Sequence, residues 1–282
     1  MASSTLDIRG HSWFWGERTY LMGIVNVTPD SFSDGGEYNS PTAALSQIIK
    51  LVNGGADIID LGGQSTRPGA RQISEEEEVN RIIPIIKAVR SQQIYVPISV
   101  DTTKSRVATA AIEAGADMVN DISGGTYDRE MLTAVAKLGV PIVLMHIRGT
   151  PETMQTMTDY QDLVEEISQF LADRIRAAID AGIKRSRIIV DPGIGFAKTY
   201  EQNIKIIRRL KEFRSLGVPI LLGPSRKSFI GHIINQDDPQ QRVWGTAAAC
   251  CAAIAGGVDI LRVHDVIEMY DVCRVADAIW RE

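Results

Sequence analysis

The sequence predicts a closed parallel (β/α)8 barrel, an α/β fold, and three observations predict it. Short apolar runs, eight in number, alternate with helical patterns along the 282 residues. Each run is rich in Val, Ile and Leu on both parities, as strands buried on both faces are. Eight such strands in one chain of this length close into a barrel without the exposed edges that two open sheets would leave, so a single domain over 1–282 is expected.

The elements follow in order. Within residues 1–20, LDIRGHSWFWGERTY alternates apolar and polar residues about a Gly-containing turn, which predicts an N-terminal β-hairpin closing the barrel floor. LMGIVNV (21–27) is the first barrel strand, and Ser40-Pro41 opens a helix that Asn53-Gly54 closes. DIIDLGG (57–63) is the second strand. Ser74 with Glu77 makes a capping box before VNRIIPIIKAV, where Pro84 implies a kink. VPISVDT (96–102), MVNDIS (118–123), PIVLMHI (141–147) and RIIVDPG (187–193) are the third to sixth strands. After the seventh, PILLGPS (219–225), the extra length SRKSFIGHIINQ and DDPQQR predicts an additional helix before WGTAAACCAAIAGG, and ILRVHD (260–265) is the eighth. NGGADIID, EAGADMVND and AGGVDILRV share an entrance in which glycine ends a helix, a weak internal repeat.

A net charge of −5 with no basic stripe speaks against nucleic-acid binding. No run is long and apolar enough for a bilayer and MASSTLDIRG lacks an apolar signal core, so a cytoplasmic protein is expected. Cys250, Cys251 and Cys273 lack metal-ligand spacing and read as small core residues.

Barrel enzymes work at the carboxyl ends of their strands. Here those ends carry Asn26, Gln64-Ser65-Thr66-Arg67-Pro68, Asp101, Asn120-Asp121, His146, Asp191, Ser225-Arg226-Lys227-Ser228 and Arg262, His264, Asp265, whereas the amino-terminal ends show no such ring. For Asp101, Asp121 or Ser225 alone a capping role serves equally well. Asp101, Asn120 and Asp191 together point over one cavity, and burying them suits a ligand rich in N–H groups, such as an aminopyrimidine edge. Arg67, Lys227, Arg262 and His264 converge from different strands as an anion site, with Asp259 or Asp265 as alternative ion-pair partners for Arg262. HxxxH and CxxC are absent. Mg²⁺ carried on phosphate oxygens is the plausible metal, with the Asn26 side-chain oxygen as a candidate ligand. Nucleophile motifs are also absent, leaving a site that positions two substrates and stabilises a departing anion.

MGIVNVTPDSFSDGG, IDLGGQSTRPGA, ISVDTTK, VNDISGG, DPGIGFAK, SRKSFIG and RVHDV, taken together, resemble the dihydropteroate synthase family over nearly the whole chain. The resemblance implies condensation of (7,8-dihydropterin-6-yl)methyl diphosphate with 4-aminobenzoate, giving dihydropteroate and pyrophosphate in folate biosynthesis. It implies that Asp101, Asn120, Asp191 and Lys227 hold the pterin between Met145 and Phe196. Thr66, Arg67, Arg262 and His264 would surround the diphosphate, Asn26 would ligate Mg²⁺, and Ser228 would meet the aminobenzoate carboxylate. Asp191 and Lys227 count as catalytic. So do Phe32 and Asp34 of NVTPDSFSDGG, a loop expected to close with Phe32 and Pro68 shaping the second pocket and Asp34 pairing with Arg67. A homodimer is expected from the family. Gln64, Ala197 and Pro224 depart from the family pattern; Gln64 would remove a negative charge near the anion site, and Pro224 could alter sulfonamide sensitivity. The alternatives are a methyltetrahydrofolate-binding methyltransferase and a non-catalytic pterin-binding barrel.

Overall fold

The computed structural model describes residues 5–27, 41–66, 69 and 72–281. Two strands, β1 (Thr5–Ile8) and β2 (His11–Phe14), pair antiparallel, and eight more form a parallel sheet: β3 (Tyr20–Asn26), β4 (Ile58–Gly62), β5 (Ile98–Asp101), β6 (Met118–Asp121), β7 (Ile142–Met145), β8 (Ile188–Asp191), β9 (Leu221–Leu222) and β10 (Ile260–Val263). The order β8-β7-β6-β5-β4-β3-β10-β9 runs round a ring, and a parallel bridge between Val190 and Ile220 joins its two ends. This is the (β/α)8 barrel the alternating runs predict.

The outer helices are α1 (Pro41–Asn53), α2 (Glu75–Ser91), α3 (Ser105–Glu113), α4 (Met131–Leu138), α5 (Leu163–Asp180), α6 (Tyr200–Arg208), α8 (Val243–Ala255) and α9 (Val266–Trp280). The extra helix after the seventh barrel strand is α7 (Ser228–Ile234), followed by a 3-10 turn at Pro239–Arg242. Ser74 caps α2 by accepting the Glu77 N–H, but the expected box is only half made, because the Glu77 carboxylate pairs with Arg81. Pro84 lies within α2, which continues through it to Ser91 with one intrahelical donor fewer.

The hairpin turns on Arg9-Gly10, both at positive φ (47° and 77°), the backbone that a two-residue turn between right-twisted strands requires. Leu6, Ile8 and Trp13 pack with Tyr20 onto Met22 and Ile58 at the amino-terminal end of the barrel. Trp13 stacks on Tyr20 with centroids 4.9 Å apart.

At that end one expectation is corrected, because the amino-terminal ends carry charged residues too. Each repeat of the glycine entrance ends in an aspartate that accepts a backbone N–H at the start of a neighbouring strand: Asp57 from Leu21, Asp117 from Ile98 and Asp259 from Ile220, all at 2.8 Å. Arg18 pairs with Asp57, and Arg9 and Arg90 pair with Asp117. The first amides of a parallel strand lack a ladder partner, so these aspartates satisfy them and the arginines neutralise the charge. The repeat is a structural device, and the charges of Asp57 and Asp117 are spent on these arginines.

Candidate functional site

The carboxyl ends hold a different arrangement. Asp60, Asn120 and Arg262 reach the barrel interior from three strands. Arg262 Nε donates to Asp60 Oδ2 at 2.6 Å, its Nη2 donates to Asp101 Oδ2 at 2.8 Å, and Asn120 Nδ2 donates to the same Asp60 oxygen at 3.1 Å. Asp60 is fully buried and its Oδ1 has no hydrogen-bond partner among the described residues. This residue is missing from the set expected from strand ends. The signal was present: a charged residue two positions from both Ile58 and Gly62 shares their inward parity in a strand otherwise apolar.

The alternative partners for Arg262 are also corrected. Asp259 lies at the other end of the barrel, and Asp265 forms a bidentate pair with Arg226. Asp101 therefore spends one acceptor on Arg262 instead of reserving both for a ligand. Burial, opposed by Arg262, raises its pKa to about 7.

Asp191, at the end of β8, accepts the Gly193 N–H through Oδ1 at 2.7 Å. Burial pushes its pKa up to about 6, with the Gly193 hydrogen bond and the charge of Lys227 opposing. Gly193 sits at φ 77°, and a Cβ there would fall 2.1 Å from the His146 carbonyl oxygen, so only glycine fits the turn after β8. A Cβ on Gly195 would meet Lys227 Cδ at 2.9 Å. The lysine uses that space: its Nζ lies 4.3 Å from the centroid of Phe196, a cation–π distance. Burial and Arg262 lower the Lys227 pKa to about 8 against the pull of Asp191. Met145, Ile122 and Ala197 form one apolar cluster with Phe196 packed on it. Lys227 thus sits against Phe196, which packs on the Met145 cluster, and its charge acts on Asp191.

Ala197 has φ 50°, a left-handed backbone that its methyl strains. Relief of about 1–2 kcal/mol on changing it to glycine is offset by about 0.8 kcal/mol of lost methyl burial and 0.4–1 kcal/mol of added unfolded-chain freedom. Ala197→Gly is expected to shift unfolding free energy in urea by less than about 1 kcal/mol. A larger loss would show that the methyl is a packing element of the Met145 cluster.

The remaining residues fall into separate groups. Asp121 accepts from Ser123 N, Ser123 Oγ and Gly125 N, and so serves as the turn cap. Ser225 Oγ lies 3.0 Å from His264 Nδ1. Thr66 and Asp101 line one cleft with Thr102, Ile122, Tyr127 and Pro151. Gln64 lines the same cleft as Thr66, and its Oε1 accepts from Lys104 Nζ at 3.0 Å, while Lys104 also binds Glu78. Asn26 and Asp101 flank Gly62, whose added Cβ would lie 3.6 Å from Asn26 Oδ1 and 3.5 Å from Asp101 Cβ. Ser228 is exposed at the start of α7. Phe32, Asp34, Arg67 and Pro68 lie outside the described residues.

Among the described residues no three His, Cys, Asp or Glu side chains converge as a metal site. A single amide oxygen at Asn26 suits a hard cation that arrives on phosphate oxygens and keeps its water.

Comparison with known proteins identifies the family and the fold. A family model described as pterin binding enzyme matches residues 22–264. The dihydropteroate synthase of Synechocystis sp. is 60% identical over 95% of this chain and 92% of its own length. The Xanthomonas albilineans dihydropteroate synthase solved with 4-aminobenzoic acid superposes with a TM-score of 0.91 at 44% identity, covering 99% of this chain and 98% of that one. The same organism's enzyme in complex with 7,8-dihydropteroate gives 0.88 at 41% identity, covering 98% of each chain.

Proposed function

The chain belongs to the pterin-binding enzyme family and, within it, to the dihydropteroate synthases, and from that premise we propose how its residues divide the work of joining (7,8-dihydropterin-6-yl)methyl diphosphate to 4-aminobenzoate. The product is 7,8-dihydropteroate, with release of pyrophosphate, in folate biosynthesis. One observation supports the residue roles: Lys227 lies against Phe196 and feels the charges of Asp191 and Arg262, and Arg262 binds Asp60 and Asp101, with Asn120 on the same Asp60 oxygen.

The aminopyrimidine edge of the pterin donates to Asp191, with Asp101 and Asn120 supplying further polar contacts and Lys227 covering the ring's other side. Breaking the bond to the diphosphate oxygen leaves positive charge on the exocyclic methylene, delocalised into the pterin. Asp191 is placed to stabilise that charge. Arg262, Thr66, Arg67 and His264 meet the departing diphosphate. Mg²⁺, when bound, neutralises the leaving group, and Asn26 would hold it together with diphosphate oxygens and water. The arylamine is already nucleophilic and needs orientation more than a base. Ser228 meets its carboxylate, Phe32 and Pro68 shape its pocket and exclude water, and Asp34 pairs with Arg67 on closure.

We also place this chain in a homodimer in the cytoplasm. Trp244 on α8 and Ile267, Val275 and Ile279 on α9 are 75%, 48%, 61% and 65% exposed, an apolar face that sedimentation at micromolar concentration would find covered or free. Cys250, Cys251 and Cys273 are free thiols, as a reducing compartment keeps them. None of the described helices is long and apolar enough to cross a membrane.

Calorimetric titration tests the residue roles in order. The pterin diphosphate binds first, and later addition of 4-aminobenzoate gives the heat of turnover. Binding of methyltetrahydrofolate with no response to 4-aminobenzoate would instead support methyl transfer, and binding without turnover a carrier.

A further inference from the structure

Lys198 and His146 form a buried pair that the chemistry above leaves unused. They are 3% and 2% exposed. Lys198 Nζ lies 3.1 Å from His146 Nδ1 and donates to the Phe196 carbonyl oxygen at 2.8 Å. Neither partner is a carboxylate, and an ammonium withdrawn from water onto two neutral acceptors is costly to keep. Donation to Nδ1 fixes the imidazole as the neutral form with its proton on Nε2. Burial and the charge of Lys198 hold the imidazole pKa down to about 2, in keeping with that form.

Around this pair the turn at 192–198 is tied at every step. Gly193 N–H binds Asp191, and the glycine passes so close to the His146 carbonyl that no Cβ fits. Lys198 binds the Phe196 carbonyl, and the Tyr160 hydroxyl donates to the Ala197 carbonyl at 3.0 Å. The His146 ring is wedged edge-on against Phe170 at 5.0 Å. Lys198 links the end of β7, through the His146 ring, to the carbonyl of Phe196, whose ring lies against Lys227 Nζ.

We propose that Lys198 is a positioning residue of the transferase: by bridging His146 and the Phe196 carbonyl it fixes the turn that holds the Phe196 wall and the Asp191 carboxylate against the pterin. The inference rests on the transferase reading and concerns the pterin half of the site alone. A lysine kept only for stability would be replaceable here, because an apolar chain of similar length commonly substitutes for a buried charge without loss of stability. A positioning lysine would not, because loss of its bridge frees the turn by a fraction of an ångström where the reacting ring is held.

The test compares Lys198→Met, His146→Phe and the double variant with the wild-type chain, reading the Kd for bare dihydropterin, KM for each substrate and thermal midpoint. Lys198→Met is expected to raise the dihydropterin Kd and the pterin diphosphate KM about tenfold, leave the 4-aminobenzoate KM within about twofold, and keep the thermal midpoint. His146→Phe should give the same pattern, and the double variant no more than either single change, since both break one bridge. An unchanged pterin Kd, equal losses for both substrates in step with a fallen midpoint, or additive effects would overturn the proposal. Failure of the wild-type chain to turn over would defeat the transferase reading, while the dihydropterin Kd would still report on Lys198.

Discussion

Arg262→Ala is expected to be the most damaging single change in this barrel, lowering both stability and affinity for diphosphate-bearing ligands. Arg262 is the common partner of Asp60 and Asp101, which are 0% and 6% exposed. Removing it strands two buried carboxylates, and breaking such an arrangement costs about 3–5 kcal/mol. That is a large share of the roughly 5–15 kcal/mol that holds a domain of this kind together. The deficit should depend on pH. The Asp101 pKa stands at about 7, already above the ordinary carboxylate value, and without Arg262 it rises further. The folded variant then keeps a proton that the unfolded chain has released, so stability falls as pH rises from about 4 and levels off only above the folded pKa. Up to about pH 7 both proteins lose this contribution in parallel, and the deficit widens only above it, where the wild type has levelled off. Urea unfolding of both proteins at neutral and at alkaline pH checks the sign, and a deficit that shrinks as pH rises above about 7 contradicts it. Calorimetry separates the two ligand effects. Affinity for the pterin diphosphate should fall more than affinity for the bare pterin, and equal losses would refute the assignment of Arg262 to the leaving group.

Asp191→Asn is expected to leave the fold intact and damage function. The amide keeps an oxygen for the Gly193 N–H and no longer has to bury a charge, so the unfolding midpoint should hold or rise. Pterin affinity should fall by about 1–3 kcal/mol, the worth of a charged hydrogen bond. The turnover number should fall separately, by a factor on the order of 10² or more, because the neutral amide no longer stabilises the cation that forms as the diphosphate leaves. If binding weakens and the turnover number is unchanged, Asp191 only holds the ring.

Much of this was legible in the sequence because the barrel writes its geometry in short periods. Strand ends, helix starts such as Ser74, and the extra helix after the seventh strand are local features, and each lies where the pattern puts it. Asp191 and Lys227 stood out for a related reason, since each lies at or within a few residues of a strand's carboxyl end, whereas Phe196 came only from the motif resemblance. Pairing across the barrel was hidden. Arg262 meets Asp60 and Asp101 across 202 and 161 residues, and no spacing encodes such a contact. Asp60 stands in mid-strand on the inward parity, away from the strand ends at which a barrel of this kind is expected to carry its polar groups. Asp57, Asp117 and Asp259 were visible as a repeat, but their purpose appears only when the neighbouring strand's first amide is in place. Gln64 lines the cleft beside Thr66 as its position suggests, but its bond to Lys104, itself held by Glu78, is a contact no local pattern encodes.

Pyrophosphate release measured continuously with the purified chain tests the central claim most directly. Release is expected only when (7,8-dihydropterin-6-yl)methyl diphosphate, 4-aminobenzoate and Mg²⁺ are all present, in a one-to-one ratio with dihydropteroate formed. No release with all three, or release that proceeds equally well without 4-aminobenzoate, would contradict it.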